Sequence, residues 1–156
     1  MKIMDAMKMD AQLTKNNYLI FKQDKKSTIL IDSDGMATEV DKKPYELIDE
    51  MCIYYGSSLK GRIEAINQTL SIKQKAPVLI SEVLEIIYFP TLSYKHKDCE
   101  WINYNQILHV KSAGLNKTRI EFISGYVYEI DINSRIIKNQ IKRCEEYLNI
   151  LRNHKL

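Results

Sequence analysis

The stretch Thr118–Leu151, TRIEFISGYVYEIDINSRIIKNQIKRCEEYLNIL, changes its period halfway along. The first half alternates. Ile120, Phe122, Tyr128, Ile130 and Ile132 fall on one side, and Arg119, Glu121, Glu129 and Asp131 on the other. That is the pattern of a half-buried antiparallel hairpin with one wet face. Keeping the apolar side together pairs Phe122 with Tyr128 across the loop Ser124-Gly125-Tyr126, with Gly125 supplying a positive φ. The second half is helical. Ile137, Ile141, Cys144, Leu148 and Leu151 recur in steps of four and three, with Asn133 or Ser134 as the N-cap. Arg135, Lys138, Lys142 and Glu146 lie opposite. This stripe has two possible uses. It can cover the hairpin face, the usual fate of an amphipathic helix. It can also form a seam with a second copy, which makes the same five residues dimer-interface candidates.

Working outward, Ile107–Val110, Glu85–Phe89 and Val78–Ile80 read as strands, the middle one stopped by Pro90. Residues 91–100 read as a polar loop. Pro44 opens a helix over 44–55, with Glu46, Asp49 and Glu50 favouring its N-terminal dipole and Gly56 as its stop. Before it, Tyr18–Lys22, Thr28–Ile31 and Met36–Val40 form a small antiparallel meander, punctuated by Asp34-Gly35. Residues 57–77 are mixed. Leu59, Ile63 and Ile66 suit a short helix that Gly61 weakens. The expected architecture is one α+β domain over 17–156, mostly antiparallel sheet and hairpins, with helices near 44–55 and 134–152. Residues 1–16 are expected to be a variable N-terminal segment.

The 156 residues are 45% hydrophobic and 28% charged, with five glycines and three prolines. That balance suits a globular chain and excludes fibrous or low-complexity classes. The longest uncharged apolar runs, Ile86–Pro90 among them, are far short of the ~20 residues a membrane-spanning helix needs. The N-terminus MKIMDAMKMD has charges in every apolar stretch, so no signal peptide is read, and three unpaired cysteines suit a reducing cytoplasm. Net charge is +3, unevenly spread. Residues 1–50 carry eight basic and ten acidic side chains, 51–112 seven and five, and 113–156 eight and five.

No phosphate-binding glycine loop, nucleophile elbow or zinc-protease motif is present. His96 and Cys99 have a ligand-like spacing without a second pair, so neither a metal nor another cofactor is expected. Cys52 and Cys144 sit on apolar stripes and read as small core residues. No enzyme activity is expected. The segment Gly56-Ser57-Ser58-Leu59-Lys60-Gly61-Arg62 gathers hydroxyls, glycines and cations that suit phosphate oxygens, or a narrow A·T-rich minor groove at Arg62. The bland alternative is a helix cap and a solvated turn. Lys73 and Lys75, and Lys95 and Lys97 flanking His96, add two small basic runs.

Cys52-Ile53-Tyr54-Tyr55-Gly56-Ser57-Ser58-Leu59-Lys60-Gly61-Arg62 resembles the C-x-[FY]-[FY]-G-S-S-x-x-G-R signature of the ComK competence transcription factors. Lys75-Ala76-Pro77-Val78-Leu79-Ile80, Phe89-Pro90-Thr91-Leu92-Ser93 and Cys99-Glu100-Trp101-Ile102 are similar to three further family segments, in order. The resemblance implies a cytosolic bacterial activator that binds paired A·T-rich boxes in double-stranded DNA as a dimer, largely through the minor groove, bends them, and assists RNA polymerase. It also implies control by an adaptor that feeds a Clp-type protease. Two departures stand out. Ala76 occupies a family proline, and no F-M-L-Y-P-like segment follows the last helix, so the chain reads as a short member without the long C-terminal tail. With that likeness, Ser57, Ser58, Lys60, Arg62, Lys73, Lys75, Lys95 and Lys97 are the DNA-binding candidates. The alternative function is a protein-interaction module that modulates a longer relative or polymerase without binding DNA.

Overall fold

Neighbouring residues in the middle of the chain bury on opposite sides of one sheet. The computed structural model describes residues 2–3 and 18–154. The strands are β1 (Lys2–Ile3), β2 (Ile20–Asp24), β3 (Ser27–Ile31), β4 (Ala37–Val40), β5 (Val78–Ser81), β6 (Ile86–Pro90) and β7 (Glu100–Asn103). They form a seven-stranded sheet in the order β1-β4-β3-β2-β7-β6-β5. Among the described residues only β1 and β4 pair in parallel. A second sheet, order β10-β9-β8, consists of β8 (Ile107–Gly114), β9 (Lys117–Phe122) and β10 (Val127–Ile130). Among the described residues three helices accompany them: α1 (Pro44–Tyr54), α2 (Leu59–Leu70) and α3 (Ser134–His154).

The large sheet is covered on both faces. Phe21, Leu30, Val78, Ile80, Tyr88 and Trp101 join Leu47, Ile48, Met51 and Cys52 of α1 and Leu59 of α2 in one core cluster. Ile20, Ile31, Leu79, Ile87, Phe89 and Ile102 join Ile120 and Phe122 of β9 and Ile137, Cys144 and Leu148 of α3 in another. Strict alternation between the two clusters explains why these strands read as continuous apolar runs. Trp101 is fully buried on the interior strand β7. Removing a core aromatic of that size costs about 3–5 kcal/mol.

The α+β class, the meander and both expected helices appear. Pro44 occupies the first turn of α1 and Gly56 takes φ +87° beyond its end. Four details differ from the sequence expectation. Residues 59–70 form a full helix, because Gly61 lies where the cap hydroxyls crowd: a Cβ there would sit 3.1 Å from Ser58 Oγ. Glu100–Asn103, taken partly as loop and partly unassigned, is the strand joining the meander to β6. Strand β8 runs on to Gly114. The β9–β10 register pairs Tyr128 with Ile120, and Phe122 N–H donates to the Tyr126 carbonyl, so the loop is 123–125. That register closes the turn on Gly125, at φ +94°, and keeps the same side chains on the apolar face. Of the N-terminal segment 1–16, all but Lys2–Ile3 lies outside the described residues.

Two distant turns interlock. Gly35 takes φ +81°, and a Cβ there would lie 2.6 Å from the Tyr126 ring. Beside it, Ser124 Oγ donates to the Ser33 carbonyl at 2.6 Å. Glycine answers both the backbone and the space.

Candidate nucleic-acid interface

The eight basic and hydroxyl candidates do not form one surface. Ser58 is the N-cap of α2, its hydroxyl accepting from Gly61 N–H at 3.0 Å. Asp49 of α1 accepts from Leu59 N–H at 2.8 Å. An internal carboxylate therefore already complements the positive end of this helix, the place where a phosphate would have been cradled. Ser57 is half-buried beside the cap. Lys60 lines a groove of about 760 Å³ between α1 and α2, together with Lys95, Glu46, Asp49, Glu50 and Glu64. Lys95 Nζ rests 5.5 Å from the Tyr45 ring centroid and 5.7 Å from that of Tyr94. The groove thus has more carboxylates than cations.

Arg62 turns inward. It is half-buried, and its charge acts on the Cys52 thiol and the Tyr147 phenol. Its Nε is buried without a hydrogen-bond partner. Burial nevertheless dominates at Cys52 and pushes the thiol up to about 12. Cys99 and Cys144 are raised for the same reason, so all three thiols stay protonated near neutral pH. Lys97 lines a third cleft with Lys22, where Asp98, Glu100, Glu129 and Asp131 again outnumber the cations. There Tyr128 donates its hydroxyl to Glu100, whose carboxyl is pushed up by burial.

The turn after α2 is different. Ser71 and Lys75 take positive φ, 55° and 54°, and bring the turn against α3. Gln140 Nε2 donates to the Lys75 carbonyl at 2.8 Å and to the Pro90 carbonyl at 2.7 Å. Arg143 donates to the Gln74 carbonyl at 3.2 Å. The result is a cleft lined by Lys73, Gln74, Asn139, Lys142, Arg143 and one carboxylate, Glu146. Arg135, Lys138 and Lys142 continue it along the exposed side of α3 at positions i, i+3 and i+7. Ser134–Arg143 contains four cations and no carboxylate. Arg135 even occupies the first turn, where the helix dipole disfavours a cation and no acid offsets it.

Folding therefore joins Lys73 to Lys142 and Arg143, which are not among the sequence candidates, and ties the Lys75 backbone to the same helix. The signal available in the sequence is the acid-free run at the start of α3. The five dimer candidates are taken up within the single chain: Ile137, Cys144 and Leu148 are buried, and Ile141 and Leu151 pack at the edge of the same cluster. His96 Nδ1 accepts from Asp98 N–H at 3.0 Å, and Cys99 Sγ donates to the Leu92 carbonyl at 3.5 Å. Among the described residues no helix is long and apolar enough to cross a membrane.

The family model described as ComK protein matches residues 13–155. Over 104 residues the chain is 30% identical to the competence transcription factor of Bacillus subtilis (strain 168), a match covering 67% of this chain and 54% of that protein. The chain thus spans about half the length of the curated relative it matches. No solved structure matches it.

Proposed function

The chain belongs to the ComK family, and on that premise we propose that it is a DNA-binding transcription regulator whose contact surface is the basic ledge of α3 and the 71–75 turn. The observation that carries this reading is the acid-free run Ser134–Arg143, whose Lys142 and Arg143 line one cleft with Lys73 and whose Gln140 and Arg143 hold the Lys75 carbonyl. Lys73, Lys75, Arg135, Lys138 and Lys142 supply phosphate contacts, and Arg143 holds the turn to the helix. Such contacts give affinity without reading bases. Selectivity for A·T-rich boxes then comes from groove width and bendability, with two copies on paired boxes. Because the apolar stripe of α3 is consumed by the core, those copies meet through DNA or another surface.

Fluorescence anisotropy of the purified chain on A·T-rich duplex tests this. Affinity should fall with salt along a log–log slope of about −0.9 per phosphate contacted. Absence of binding at low salt sinks the reading.

One feature favours a second reading, a protein-docking module. The groove between α1 and α2 exposes Ile53 and Tyr94 beside an acidic rim, which suits a protein segment with basic and apolar side chains better than it suits DNA. A partner that binds the chain equally well without DNA, and is lost in Ile53→Asp, would support it.

A further inference from the structure

We propose that Leu115, at the tip of the β8–β9 hairpin, is an apolar wedge that enters a base-pair step of bound DNA. The inference rests on the DNA-binding reading above and adds the element that deforms the duplex. Residues 111–117 are exposed on both faces of the hairpin. The ladder there runs through Lys111 opposite Arg119 and Ser112 opposite Thr118 to Gly114 opposite Lys117, and the last rung lies past the end of β10 at Ile130. Leu115 is 84% exposed at its end.

Exposure alone says little, because single apolar residues on surfaces are common. Three further observations distinguish this one. First, the tip is held. Asn133 Nδ2 donates to the Leu115 carbonyl at 2.7 Å, while Asn133 Oδ1 accepts from Arg135 N–H at 2.8 Å. One side chain thus caps α3 and fixes the leucine beside the start of the basic ledge. Second, the surroundings are cationic. Residues 101–120 contain Lys111, Lys117 and Arg119 and no carboxylate. Arg119 is engaged by Glu129 at 2.9 Å and Lys117 faces Asp131 at 3.9 Å, but Lys111 and Arg135 have no carboxylate within salt-bridge range among the described residues. Third, an internal comparison isolates the charge. Val83, at the β5–β6 turn, is 88% exposed but stands between Glu82 and Glu85, the second of which is held by Arg152 at 2.7 Å. Glu82 would repel phosphates there, whereas Lys111 and Arg135 would attract them at Leu115. A firmly held apolar tip set among cations is the arrangement that unstacks a base step and kinks the duplex.

The test uses the full chain and A·T-rich duplexes carrying 2-aminopurine at successive steps, with end-labelled duplexes for bending by energy transfer. The expected result is a fluorescence rise at one step and a shortened end-to-end distance. Both are lost in Leu115→Ser, with affinity lower by about tenfold, and both are kept in Leu115→Phe and in Val83→Ser. A Leu115→Ser protein that bends and unstacks DNA like the parent overturns the wedge. So does a parent that binds without unstacking or bending, and in that case DNA binding stands. A parent that gives no anisotropy change at all removes the functional reading together with the wedge.

Discussion

The groove between α1 and α2 and the cleft between the 71–75 turn and α3 are both lined with lysines, yet they offer opposite fields. In the first, Lys60 and Lys95 stand among Glu46, Asp49, Glu50 and Glu64, and Lys95 is drawn onto two tyrosine rings. In the second, Lys73, Lys142 and Arg143 meet one carboxylate, Glu146. A cation's value to a polyanion is set by what surrounds it, because neighbouring carboxylates both neutralise it and repel the phosphates it would bind.

The sharpest way to break this contrast is charge reversal on the ledge. Lys138→Glu with Lys142→Glu should abolish A·T-rich DNA binding at moderate salt in an anisotropy titration, while far-ultraviolet circular dichroism keeps its helical signal. Retained binding would mean the ledge is not the contact surface. Next in size is Lys142→Ala, which should weaken binding similarly on every sequence and reduce the salt slope by about one. The same truncation at Lys60 or Lys95 should leave slope and affinity unchanged, and an equal loss there would erase the difference between the two clefts. Ser58→Ala removes the α2 cap and should cost about 1 kcal/mol in urea denaturation without altering the DNA slope. A fall in affinity beyond what stability explains would make the Gly56–Arg62 turn a contact.

The smallest effect sits in the third cleft. Burial raises the Glu100 carboxyl above its usual range, so the folded state holds that proton more tightly than the unfolded state does. The stability this contributes is complete below the unfolded pKa and fades as pH rises through the folded value. Glu100→Gln, which can still accept from Tyr128, should flatten that part of the stability–pH profile. An unchanged profile would mean that Glu100 titrates normally.

Local chemistry made much of the fold readable. Pro44 and Gly56 bracket α1, Asp34-Gly35 turns the meander, and the four-and-three spacing of Ile137, Ile141, Cys144, Leu148 and Leu151 identifies α3. Strand β7 was hidden because it is four residues long and follows a polar loop. Helix α2 reads only as a short, weakened helix because Gly61 looks like a breaker, when its lack of a side chain leaves room for the cap hydroxyls. The candidate interface was half legible. Lys60 and Lys73 look alike along the chain, and only folding sets Asp49 beside one and Lys142 beside the other. Both clefts are products of long-range packing, which no local pattern encodes.

Strand β7 also has a consequence during synthesis. It lies between β2 and β6, with Ile20 opposite Ile102 and Phe89 opposite the same residue. A ribosome adding about 5–20 residues per second releases β2 on the order of several seconds before its partner exists. Until then the meander emerges with an unpaired border and with Ile20 and Phe21 uncovered, the condition in which nascent chains stick to one another. The strand that joins the meander to β6 is the last part of the sheet to be supplied, so the nascent N-terminal third waits longest for its cover.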